Sequence, residues 1–134
     1  MIEVDGILYL ELEDVLLLYA VRFGCNSRQA AAQLRNRDGL ESALVKPRQY
    51  AFYYNADMWM QAAALTYGIA ENQPFVEGNK RTAGDACTQF LTVNGYSVTM
   101  LPQDDFANWI RGFSGGLSLE KFADNLRQWV APRF

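Results

Sequence analysis

Along most of the chain, apolar side chains recur at steps of three and four, the period that puts one face of an α-helix into a core. Leu12, Val15, Leu16, Tyr19 and Phe23 form one such stripe, ending at Gly24, a residue suited to a left-handed helix cap. A second stripe passes through Met58, Ala62, Leu65 and Ile69, with Asp57 placed to cap its start. A third runs through Ala83, Ala86, Cys87, Phe90 and Leu91 and stops at Asn94-Gly95. Phe106, Trp109, Ile110 and Phe113 make a fourth, and Leu119, Phe122, Leu126 and Val130 a fifth, introduced by Ser118 as a cap. Short extended pieces are expected at residues 7–10 and 97–100, but nothing alternates long enough for a substantial sheet. With no internal repeat and no low-complexity linker, the pattern predicts a compact all-α bundle, one domain over residues 1–134.

Composition narrows the picture. A chain of 134 residues, 50% hydrophobic, has material for one core. A net charge of −3 gives no general attraction to nucleic acid or to an anionic membrane, so phosphate must be held by a local cluster if it is held at all. The run 15–21 has seven apolar residues between Asp14 and Arg22, far short of the roughly 20 that cross a bilayer, and no signal peptide is read before it. Cys25 and Cys87 lack a ligand spacing and the chain has no histidine, which excludes the common zinc patterns and suits free thiols in the cytoplasm. Trp59, Trp109 and Trp129 lie on or beside the apolar stripes and are read as packing residues.

The local cluster lies in Asn72-Gln73-Pro74-Phe75-Val76-Glu77-Gly78-Asn79-Lys80-Arg81-Thr82, between the second and third stripes. A helix starting at Asn79 or Lys80 offers unpaired N–H groups and the positive end of its dipole to an anion. Gly78 permits close approach, and Lys80 and Arg81 add two charges. Glu77 is placed to carry a magnesium ion that bridges phosphate oxygens. Phe75 is expected to point into the core and pin the loop. By charge alone, a Gly-Asn-Lys-Arg run at a helix start fits a solvated cap as well as a nucleotide site.

The string Pro74-Phe75-x-x-Gly78-Asn79-Lys80-Arg81-Thr82-Ala83 resembles the signature of the Fic/Doc family, and Lys80 is the residue of its Doc branch. Gly39-Leu40-Glu41-Ser42-Ala43-Leu44 with Lys46-Pro47, Ala62-Ala63-Ala64-Leu65, Phe90-Leu91 with Asn94-Gly95-Tyr96, and Leu117-Ser118-Leu119 resemble Doc segments in the same order. The resemblance implies a small helical fold, ATP bound with its phosphates on Gly78, Asn79, Lys80 and Arg81, and Mg2+ on Glu77. It also implies a short flap near residues 46–50, where Lys46 and Arg48 in a basic turn around Pro47 would align the target chain. Doc-type toxins are kinases that phosphorylate a hydroxyl of translation elongation factor Tu and are checked by a cognate antitoxin. Here the antitoxin must act in trans, because no Ser or Thr is followed four residues later by Glu, the pattern with which many Fic proteins inhibit themselves.

Two positions distinguish this chain within the family pattern. Fic adenylyltransferases carry glycine at position 80 and a further arginine at position 84; Lys80 and Gly84 favour the kinase orientation instead. The family's general-base histidine is replaced by Gln73, whose carboxamide has no pKa near neutrality and cannot take up a proton. The expectation is nucleotide binding with slow transfer or none. The alternatives are a degenerate binding module without catalysis and a Fic-type transferase of AMP.

Overall fold

The computed structural model describes residues 1–133 and has seven helices among them. A hairpin of β1 (Ile2–Val4) and β2 (Ile7–Tyr9) leads into α1 (Leu12–Phe23), α2 (Ser27–Ala32) and α3 (Arg37–Tyr54). Then come α4 (Met58–Asn72), α5 (Asn79–Val93), β3 (Tyr96–Ser97), α6 (Gln103–Gly112), α7 (Leu119–Trp129) and β4 (Ala131–Pro132), the last pairing antiparallel with β3. The all-α reading holds, with two small two-stranded ribbons added. No helix among the described residues is long and apolar enough to cross a membrane.

The capping residues act as their chemistry requires. Gly24 closes α1 at φ 68°, the Asp57 carboxylate accepts from the Met60 N–H at 2.9 Å, and the Ser118 hydroxyl accepts from the Lys121 N–H at 3.1 Å. Asp57 also receives the Arg127 guanidinium from α7, a pair too exposed to contribute much on its own. Asp57→Ala is therefore expected to cost about 1–2 kcal/mol through the lost cap. Asp57→Asn, which keeps the cap, should cost less than half of that in a denaturant titration; equal losses would assign the effect to the ion pair.

α4 sits at the centre, packed between α3, α5 and α7. Residues Gln61 to Thr66, Gly68, Ile69 and Ala70 are all buried while Tyr67 is exposed, so this helix is covered around most of its circumference and not merely along the stripe its spacing predicts. Small side chains make this possible. A Cβ on Gly68 would lie 2.8 Å from the Ala43 Cβ, so α3 and α4 touch there almost backbone to backbone. The buried polar groups are all satisfied among the described residues: Tyr9 Oη donates to Gln61 Oε1 at 2.7 Å, and Thr66 Oγ1 donates to the Ala62 carbonyl at 2.7 Å. Trp59 packs at the rim and donates its Nε1–H to the Val130 carbonyl at 2.8 Å, and Trp109 meets Phe106 and Phe122 edge to face.

Residues 46–50, expected as a flap with a basic turn, lie inside α3. Leu40, Ala43, Leu44 and Pro47 form its buried face at helical spacing, and this packing outweighs the loss of one main-chain donor at Pro47. The helix runs on to Asn55, whose left-handed backbone (φ 51°) ends it.

Candidate phosphate-binding site

The cluster of residues 73–82 is a rigid corner between two buried helices. α4 stops at Gln73, which takes a left-handed conformation (φ 48°, ψ 58°), and Pro74 prevents the helix from continuing. The segment between α2 and α3 then straps the loop down. The Pro74 carbonyl accepts from the Arg35 and Asn36 amides at 2.8 and 2.9 Å, and the Val76 amide donates to the Gln33 carbonyl at 2.9 Å. Phe75 is fully buried and stacks on Tyr19 with ring centroids 4.3 Å apart.

Asn79 fastens the other end of the loop. Its Oδ1 accepts from the Phe75 N–H at 2.8 Å and its Nδ2 donates to the Phe75 carbonyl at 3.0 Å. The side chain is thus committed inward, and what Asn79 offers an anion is its main-chain N–H. Gly78 precedes α5 at φ 79° and gives the helix no side-chain cap, while the Thr82 amide and hydroxyl both donate to its carbonyl. The amides of Asn79, Lys80 and Arg81 consequently have no acceptor among the described residues.

Beside these amides the charges are uncommitted. Glu77, Lys80 and Arg81 are exposed and make no ion pair among the described residues. A groove of about 550 Å³ opens beside Lys80 and Arg81, between α5 and α6; these two and Gly84 line one wall, Gln103, Phe106 and Arg111 the other, and the carboxylates Asp85 and Asp104 also face it, whereas Glu77 does not line it. Its volume lies within the general range of small-molecule pockets. Gly84 lets α6 come close: a Cβ there would lie 3.2 Å from Ile110 Cδ1 and 3.4 Å from Phe106 Cε2.

No group of three potential metal ligands exists among the described residues. A divalent ion here would have one carboxylate, Glu77, and would complete its shell from phosphate and water, which is magnesium's habit and not zinc's. Gln73 is exposed and its carboxamide makes no hydrogen bond among the described residues. Gln73→Gly should stabilise the fold by about 0.5–1 kcal/mol, since glycine adopts the left-handed cap without strain. A denaturation midpoint at or below that of the parent would show that the glutamine is unstrained there.

Lys46 and Arg48 are not brought together. Two residues apart on a helix, they leave the axis about 200° apart. Arg48 lines a separate cavity of about 760 Å³ against the N-terminal hairpin, with Tyr9 and Gln49. Cys87 is fully buried, and burial pushes its thiol up to about 12 although the Thr66 hydroxyl beside it acts in the opposite sense, so it is a packing residue and no nucleophile. What the sequence reading missed is the layer beneath the loop, Tyr19, Arg22 and Phe23. In sequence Tyr19 and Phe23 carry no signal that separates them from ordinary core positions.

A strapped loop feeding the start of a buried helix, with free amides, two exposed cations and one exposed carboxylate, makes this corner of the helical domain the candidate site for an anion. The chain belongs to the Fic/DOC family, which its residues 9–91 match. It is 37% identical over 94 residues, 67% of either chain, to the protein named Toxin Doc of Mycolicibacterium smegmatis.

Proposed function

We propose that the chain is a Doc-like toxin: a kinase by descent that passes the γ-phosphate of ATP to a hydroxyl of translation elongation factor Tu in the cytoplasm, crippled at one position by Gln73. The observation that carries this reading is the strapped loop that leaves the amides of Asn79, Lys80 and Arg81 without acceptors at the start of α5, with Glu77, Lys80 and Arg81 exposed. Gly78, Asn79, Lys80 and Arg81 would hold the phosphates and Glu77 would hold Mg2+. When bound, the metal neutralises charge on the phosphate oxygens. In the step itself the target hydroxyl oxygen bonds to the γ-phosphorus, the bond to the β,γ-bridging oxygen breaks, and ADP leaves. The hydroxyl proton must find an acceptor. Gln73 can accept a hydrogen bond from that hydroxyl and orient it, but the proton itself passes to phosphate or water.

The similarity to a protein named Toxin Doc supports the toxin reading and, with it, a cognate antitoxin acting in trans. Leu17 and Val21, four residues apart on one face of α1, and Val76 on the loop are exposed at 58%, 77% and 55%, and an amphipathic antitoxin segment would bury such side chains. Transfer of AMP is disfavoured because Gly84 supplies no second arginine and any side chain there presses on α6. The second reading, a module that binds nucleotide or partner without modifying it, is favoured by Gln73 alone.

The test is incubation with elongation factor Tu, magnesium and ATP labelled at the γ or the α position. Label carried only from the γ position supports the kinase reading; label from the α position would replace it with nucleotidyl transfer. ATP binding without any transfer leaves the binding module.

A further inference from the structure

The phosphate loop rests on the last turn of α1. Tyr19 is 3% exposed, lies against Phe75 and Phe23 with ring centroids at 4.3 and 4.5 Å, and donates its hydroxyl to the Glu77 main-chain oxygen at 3.3 Å. Phe23 lies directly under Gly78, where a Cβ would come within 2.4 Å of its Cζ. Arg22 grips Asp85 of α5 through Nε at 2.8 Å and Nη2 at 2.6 Å. Contacts from Tyr19, Arg22 and Phe23 thus tie α1 to the loop and to the helix it opens.

The Tyr19 bond has a directional consequence. A trans peptide carries its C=O and N–H on opposite sides of one plane. The Glu77–Gly78 bond is trans, so a Glu77 carbonyl turned toward Tyr19 aims the Gly78 N–H away from α1. That N–H has no acceptor among the described residues and continues the row of free amides of Asn79, Lys80 and Arg81. Glycine passes easily between backbone regions, so this peptide is free to turn over unless something holds it. Turned over, it would present a carbonyl oxygen to the phosphate in place of a donor.

We propose that Tyr19 is a positioning residue whose hydroxyl locks the Glu77–Gly78 peptide in the orientation that lets the loop accept a phosphate oxyanion. The lock rests on the geometry alone; its effect on ligand rests on the phosphate reading above. Burial, the nearby Glu77 and Cys25 all raise the Tyr19 pKa, so the hydroxyl keeps the proton it donates at neutral pH.

Tyr19→Phe removes only the oxygen and keeps the ring stack. The Gly78 amide signal is followed by NMR in the free chain, and ADP affinity is measured by calorimetry, for parent and variant. The expected result is a Gly78 signal broadened or doubled in the variant, with ADP held about three- to tenfold more weakly. An unaltered Gly78 signal, or an ADP affinity within twofold of the parent's, overturns the proposal. If the parent itself binds no ADP, the phosphate reading fails, while the Gly78 signal still decides whether the lock exists.

Discussion

On the proposed kinase reading, replacing Gln73 by histidine is expected to raise the rate of phosphate transfer to elongation factor Tu by about 10²–10⁴-fold, the usual contribution of a positioned general base. The difference between the two proteins lies in the chemistry of one side chain. Glutamine and histidine both hydrogen-bond a hydroxyl, but only imidazole titrates near neutral pH and removes its proton as the P–O bond forms. The variant's rate should also rise with pH as the imidazole loses its proton, whereas the parent's residual rate should show no such step. Because phosphoryl transfer passes through a loose transition state, orientation alone retains part of the catalysis, which places the expected gain toward the lower end of the range. Left-handed backbone is also more common for histidine than for most residues, so the change should cost little stability at φ 48°. An increase below about tenfold, with ATP still bound by both proteins, would show that a base was never the missing part, and the binding-module reading would take over.

How much of this was legible in the sequence differs by element, for physical reasons. Helices α1, α5, α6 and α7 announce themselves because each buries one face, and the caps at Asp57 and Ser118 are local chemistry that needs no tertiary context. α3 was hidden. Pro47 reads as part of a basic turn, yet Leu40, Ala43, Leu44 and Pro47 form a buried face against α4 that carries the helix through it. That burial is a long-range fact, and it turned an expected flap into eighteen residues of helix. α2 is six residues long, too short for a periodic pattern to emerge. The N-terminal hairpin, by contrast, carries a sequence signal in Asp5-Gly6, both at positive φ, the dipeptide typical of a two-residue hairpin turn. At the site, the loop was legible from residue types at fixed spacing. Its supports were not: the strap from residues 33–36 is made of main-chain bonds, which leave no trace in side-chain identity. The inward commitment of the Asn79 amide is of the same kind, since nothing in the letter Asn separates a brace from a ligand.

The fold and the site meet at Phe75, and its removal should be the most destabilising single change in the loop. Phe75→Ala is expected to cost about 3–5 kcal/mol, the range for deleting a fully buried aromatic ring. Against a total stability of about 5–15 kcal/mol for a domain, that is a large fraction. The site lies where the structure is least able to relax: Phe75 is stacked on Tyr19, bridged to Leu34 and tied by its own main chain to Asn79. A cavity left there cannot be filled by moving one side chain, which argues for the upper half of the range. Urea titration should show a lower midpoint with an unchanged slope, and thermal unfolding should fall by roughly 10–20 °C. The variant that remains folded should keep part of its nucleotide affinity, because Asn79 bonds the Phe75 main chain and not its ring. A loss under about 1 kcal/mol would mean that the strap of residues 33–36 holds the loop without the ring. A full loss of affinity in a well-folded variant would mean the opposite, that the ring itself sets the spacing of the free amides at the start of α5.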